Sequence, residues 1–298
     1  AASPTPLPRL DAADLAARIG PDAIRAHLGA LQAVADANGG TRATGTPGYV
    51  ASMRHVTETL LAAGYAPELE TFTHAGVSGT NVLAERIGAS RPAEVVMIGG
   101  HLDSELGRAG MNDNASGVSL VLALAEAIAD LPQPERTIRF AFWDAEEDGP
   151  IGSAAHVAAF DADERQRIVA YLNFDMVGSP NAVRFVYAES TGAPGADALT
   201  DLIAAQFEAA GLAWDPIDID GRSDHGPFNA AGIPTGGVFT GGGELVTDDQ
   251  AARHGAIAGI PADACGQRAC DRIDNVDVAT AVEVGHVVAA VLASLAAP

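Results

Sequence analysis

The 298-residue sequence contains no lysine: its 17 basic residues are all arginine, set against 39 aspartates and glutamates, for a formal net charge of -22. Without a basic face to neutralise phosphates, nucleic acid is not an expected partner. The acid excess reads first as a solubilising surface, with halotolerance or calcium binding as alternative uses. No stretch approaches the roughly 18 uninterrupted apolar residues of a membrane span, and the most apolar windows, 118–128 and 287–295, are alanine-rich and amphipathic. A membrane protein is therefore not expected. Cysteine is scarce as well, with only Cys265 and Cys270, spaced C-x4-C in a polar loop. Two thiols are too few for a cysteine-ligated zinc site, whereas so close a pair suits a local disulfide that stabilises its loop by about 2 kcal/mol. The sequence opens AASPTP, with no initiating Met and no apolar segment, as in a secreted protein after signal removal. The expectation is an extracellular monomer.

What is present is a chain 48% hydrophobic and 19% charged, with ample core and neither an internal repeat nor a linker. It reads as one α/β domain over 10–298, behind an irregular Pro-rich segment, 1–9. Apolar residues at three-to-four spacing predict helices over 11–19, 21–37 and 47–63, with Gly20, Gly39 and Gly64 where they end. Residues 68–73, 80–87 and 94–98 read as strands, the last stopping at Gly99-Gly100. Helix and strand then alternate: helices over 116–129 and 152–160, strands over 137–143 and 168–174. Further strands are expected at 183–187 and 238–239, and helices at 197–210 and 278–295. Such a series builds a sheet with helices on both faces. Residues 240–277 read as a long loop, uncommon in a compact domain unless functional.

Ligands of open α/β sheets bind beyond the carboxyl ends of the strands, and four polar clusters fall at such places. They are His101 with Asp103, then Asn112-Asp113-Asn114, then Asp144-Ala-Glu146-Glu147, then Asn173-Phe-Asp175. Singly, each has a plain use: Asp113 as a helix cap, Glu146-Glu147 as a solvated turn, Asp175 as a turn cap, His101 as a loop hydrogen-bonder. Jointly they point to metal, because carboxylates gathered without a cation repel one another and resist ionisation. Zinc suits imidazole with carboxylates; magnesium and manganese remain alternatives. Neighbouring Glu146 and Glu147 would diverge, one toward metal and one toward water as general base. Asp103 is placed to accept the second N–H of His101.

These residues lie in strings that resemble the secreted bacterial double-zinc aminopeptidases of leucyl aminopeptidase type: GGHLDS (99–104), GMNDNASG (110–117), FWDAEEDGPIGS (142–153), YLNFDMVGSP (171–180), GRSDHGPF (221–228), GVFTGGG (237–243), CGQRACD (265–271) and DNV (274–276). They keep the family's order over roughly residues 25–296. The resemblance implies a mixed, mostly parallel eight-stranded sheet flanked by helices, and an extracellular exopeptidase that removes large apolar N-terminal residues from peptides or small amides. It implies one zinc on His101 and Asp175, a second on Glu147, Asp113 bridging both, and Glu146 as general base. Glu146 and Asp175 would take the substrate's amine. Arg222, Met176 and Phe239 would line the substrate pocket, and His225 would not bind metal.

One string departs from the pattern. The family's disulfide loop reads Cys-Tyr-His, the histidine completing the Glu147-side metal site and the tyrosine donating to the oxyanion; here Gly266 and Gln267 stand in those places. The expectation is one tightly bound zinc and a weaker second, with Gln267 or His254 as substitute ligand and a slowed or altered hydrolase. The alternative is a catalytically silent binding protein on the same fold.

Overall fold

The computed structural model describes residues 9–189 and 191–297, so the expected irregular segment 1–9 lies outside it except for Arg9. Three helices open the chain: α1 (Ala12–Ala16), α2 (Pro21–Ala37) and α3 (Pro47–Ala62). The Asp11 carboxylate accepts the Ala13 and Asp14 N–H groups, and Thr46 caps α3. Proline opens α2 and α3, where its missing N–H costs nothing. There follow β1 (Glu68–His74), β2 (Val77–Arg86), β3 (Arg91–His101), α4 (Gly117–Ala129), β4 (Arg136–Trp143), α5 (Ile151–Ala158), α6 (Ala162–Arg167) and β5 (Ile168–Phe174). The chain closes with β6 (Phe185–Tyr187), α7 (Ala196–Ala209), β7 (Asp215–Ile217), α8 (His225–Ala230), β8 (Thr235–Phe239), α9 (Asp248–His254) and α10 (Val278–Leu295).

The strands form one mixed eight-stranded sheet in the order β1-β2-β4-β3-β5-β8-β6-β7. Its centre is parallel: β4 with β3, β3 with β5, and β5 with β8. The carboxyl ends of four strands therefore open on the same edge. Because side chains alternate along a strand, β3 serves both faces. Val96 and Ile98 join the large core with α2, α3, α4 and α10, while Val95 and Met97 join a smaller one with Trp143, Tyr171 and Phe228. Helix α10 is long and apolar enough to cross a membrane by length and composition. In this fold Val284, Val288, Val291 and Leu292 of that helix are buried in the large core.

Two expectations need correction. Strand β3 does not stop at Gly99-Gly100 but runs on to His101. A Cβ on Gly99 would lie 2.7 Å from the Ala141 carbonyl oxygen, and one on Gly100 would lie 2.5 Å from that of Phe174. These glycines permit close strand packing; they are not a terminator. Residues 240–277 are not wholly loop, since they carry α9, whose Thr247 and Gln250 form a reciprocal capping box before Gly255 closes the helix. None of its residues is buried, so no apolar period marked it.

Candidate active site

The parallel centre of the sheet delivers the site. His101 is the last residue of β3, Asp144 to Glu147 follow β4, and Asp175 follows β5. Asp113 comes from the turn Met111–Ser116, ahead of α4, and its peptide bond to Asn114 is cis. One ligand atom each from His101, Asp113 and Asp175 lies within 4.8 Å of the others. His101 Nε2 stands 3.3 Å from Asp113 Oδ1, 3.4 Å from Asp175 Oδ1 and 3.9 Å from Glu146 Oε2.

The two glutamates diverge as their adjacency requires, helped by Ala145 in the left-handed region at φ 61°. Glu146 faces a cavity of about 320 Å³ shared with Asp113 and Asp175. Glu147 stands outside the trio, its Oε1 accepting the Glu105 N–H at 3.1 Å. Asp103 approaches His101 Nδ1 only to 3.5 Å, and that buried nitrogen has no hydrogen-bond partner. The oxygens of Asp103 accept instead the N–H groups of Glu146 and Glu147, each at 3.2 Å. Asp103 thus faces His101 Nδ1 and also holds the backbone of the glutamate pair.

Arg222, Met176 and Phe239 line the same cavity, and Gln267 and Gly266 reach it too. Ile217, Ile219 and Tyr187 complete its apolar wall; sequence reasoning missed Ile217 because its strand, β7, is three residues long and contains Pro216. Cys265 and Cys270 are bonded to each other. The expectation that His254 substitutes as ligand is not supported. It sits on α9, its Nδ1 accepting the Arg184 N–H at 3.2 Å and its Nε2 3.6 Å from Asp215 on edge strand β7. Packing there, not solvent, accounts for it. A larger cleft of about 560 Å³ elsewhere is lined by Glu70, His156, Arg139 and Glu164. Those charges pair among themselves, so chemistry rather than size picks out the candidate site.

Two buried anchors were also missed. The Arg42 guanidinium is fully buried and donates to the carbonyl oxygens of Leu102, Ala109 and Gly110, clamping the segment between His101 and Asp113. Burial draws its pKa down to about 10. Each carbonyl left without its donor costs about 1–3 kcal/mol. Arg42→Met is therefore expected to destabilise the protein severely, seen as a large fall in its urea unfolding midpoint. The second anchor is acidic: Asp271 accepts the N–H groups of Asn112 and Asp113 at 2.8 and 3.0 Å. Asp263 accepts Asn112 Nδ2 at 2.7 Å together with the N–H groups of Cys265 and Gly266. Together they tie the disulfide loop to the turn that carries Asp113.

The electrostatics fit a cation. Burial first and neighbouring carboxylates second raise the proton affinity of Asp113, Glu146 and Glu147, the last to about 9. Burial likewise lifts Asp224 to about 7. His101 is pulled down by burial, yet Glu146 and Asp175 outweigh that and hold it well above the usual imidazole range. Burial raises Asp175 too, but His101 and the Ser223 hydroxyl prevail and lower it. One imidazolium cannot balance this many carboxylates. A divalent ion suited to nitrogen and oxygen donors would.

Leupeptin-inactivating enzyme 1 of Streptomyces exfoliatus is 42% identical over 260 residues, 85% of this chain and 57% of that protein. An aminopeptidase of Pseudomonas aeruginosa is 41% identical over 203 residues, 66% of this chain and 38% of that protein. The chain thus spans little more than half of one relative and less than half of the other. The fold is that of an aminopeptidase from Aneurinibacillus sp. strain AM-1, with a TM-score of 0.78 at 16% identity over 97% of each chain. Residues 81–292, which hold the whole His101–Asp113–Asp175 cluster, match Peptidase family M28, and the chain belongs to that family.

Proposed function

We propose that this chain, acting as one domain over 10–298, is a zinc-dependent aminopeptidase that removes large apolar N-terminal residues from peptides. The observation that carries this reading is the convergence of His101, Asp113 and Asp175 on one point, beside the Glu146 carboxylate in a common cavity. The aminopeptidase named among its relatives supports it. His101, Asp113 and Asp175 would hold one zinc tightly. Glu147, lacking a histidine partner at position 267, would hold a second only weakly. Zinc at this site supplies a Lewis acid for the scissile carbonyl and lowers the pKa of water.

The chain's own groups do the rest. Glu146 accepts the proton of the attacking water, a role suited to a carboxylate whose burial has raised its basicity, and returns it to the leaving nitrogen. Asp175 and Glu146 offer negative charge to the substrate's free amine. Met176, Ile217, Ile219 and Phe239 shape an apolar recess for the first side chain. Retention of Glu146 in the cavity argues against a silent binding protein, which has no use for a base there. A disulfide beside the site suits an oxidising compartment and supports export.

Dialysed protein is expected to retain about one zinc per chain, by elemental analysis. It should cleave leucine p-nitroanilide but not the N-acetylated anilide. Two firmly held ions would show Gln267 to be an effective ligand. Cleavage of the acetylated substrate, or of neither, would overturn the aminopeptidase reading.

A further inference from the structure

Asp175 is the end of a buried chain of hydrogen bonds whose direction is forced. Trp143 Nε1 reaches the Tyr171 hydroxyl at 2.7 Å, and the hydroxyl reaches Asn173 Oδ1 at 2.8 Å. Asn173 Nδ2 reaches Ser223 Oγ at 2.9 Å, and Ser223 Oγ reaches Asp175 Oδ2 at 2.7 Å. An indole nitrogen can only donate, so the Tyr171 oxygen accepts and its proton must go to Asn173 Oδ1. That sets the Asn173 amide with its nitrogen toward Ser223, whose hydroxyl then has one acceptor left for its proton, the Asp175 carboxylate. Trp143, Tyr171, Asn173 and Ser223 are all at most 2% exposed, so water does not compete for the first three links. The chain crosses from the end of β4 through β5 to the turn before α8.

The consequence falls on the two oxygens of Asp175. Oδ2 is committed to Ser223, while Oδ1 is the one that faces His101 Nε2 at 3.4 Å. We propose that Tyr171, Asn173 and Ser223 are positioning residues that reserve Oδ1 of Asp175 as a single metal-facing ligand atom. This rests on the metal reading above. Loss of the last link frees Oδ2 to turn inward and chelate. Loss of the first leaves the Asn173 amide free to flip, which presents an oxygen to Ser223 and draws its proton away from Asp175.

The test is zinc affinity by chelator competition, with the visible spectrum of the cobalt(II)-substituted protein as a second readout. Ser223→Ala is expected to weaken zinc binding by about 10–100-fold, as loss of a partner behind a metal ligand does, and to shift the cobalt spectrum toward a higher coordination number. Tyr171→Phe, two residues removed from Asp175 along the chain, should weaken binding in the same sense. It preserves the ring stacked on Phe228 at 4.2 Å, so it carries the test even if Ser223→Ala does not fold. The double variant should bind zinc as the Ser223→Ala single does, to within about a factor of 2, because both changes break one chain. Tyr65→Phe, which removes another buried hydroxyl, bonded to the Ala125 carbonyl at 2.6 Å, should leave zinc affinity unaltered. Unchanged affinity in Tyr171→Phe, additive effects in the double variant, or an equal loss in Tyr65→Phe would each overturn the proposal. Failure of the parent protein to bind zinc would overturn the metal reading along with it.

Discussion

Replacing Gly266 by Tyr and Gln267 by His together is expected to raise both zinc occupancy and aminopeptidase turnover well above the parent. The loop can accept both side chains. A Cβ on Gly266 would meet the terminal methyl of Met176 at 3.2 Å and the Asp263 carboxylate only at 3.7 Å. Met176 ends in a flexible thioether that can yield a few tenths of an ångström. Gln267 has φ 54°, a region where histidine is among the better tolerated residues. An imidazole at 267 would face the cavity that Gln267 already lines and would give Glu147 the partner it lacks. A tyrosine hydroxyl at 266 would supply a donor for developing negative charge, and removal of such a donor typically costs about 10²–10³ in turnover. Steady-state kinetics with zinc content measured on the same samples decide the matter. If neither rises, Gly266-Gln267 is no defect, and the cleft serves a different ligand.

Glu146→Gln should remove at least about 10²-fold of any peptidase activity, the usual contribution of a general base, with zinc content and folding intact. The reason is that the Glu146 carboxylate supports nothing else. Among the described residues it accepts no hydrogen bond, and the one cation in ion-pair range is His101 at 3.9 Å. Its backbone is held independently by Asp103. The amide keeps the shape but cannot take a proton. Full activity in this variant would mean that another group deprotonates the water. A parallel loss of zinc would mean that Glu146 is a ligand.

The candidate site was legible in the sequence where a residue with a possible metal-binding atom ends a strand or directly follows one, as His101 and Asp175 do. Periodicity placed α2, β5 and α10 with the bounds the structure has, because each is long or almost wholly buried and carries a clear apolar rhythm. Short edge elements such as β7 and exposed ones such as α9 carry no such rhythm; only the Thr247–Gln250 capping pair announced the latter. What local pattern could not reveal was support from a distance. The Asp103 carboxylate serves backbone N–H groups 43 and 44 residues away, and Arg42 clamps carbonyls 60 to 68 residues away. The divergence of Glu146 and Glu147 followed from adjacency, but which partner Glu147 would choose depended on the position of the Glu105 N–H.

The carboxylates of Asp263 and Asp271 also set an order of events in folding. The His101, Asp113 and Asp175 ligand set is complete in the sequence once Asp175 has been made. Yet the turn that presents Asp113 takes its backbone support from Asp271, 158 residues further on, and the Asn112 side chain from Asp263, 151 residues further on. Contacts of such sequence separation form late, because closing long loops costs entropy before it returns any gain. A nascent chain therefore carries the Asp113 turn without this backing until the C-terminal loop has been made. The Cys265–Cys270 disulfide closes that same loop, so the bridge near the end of the chain stands behind the turn made in its first half.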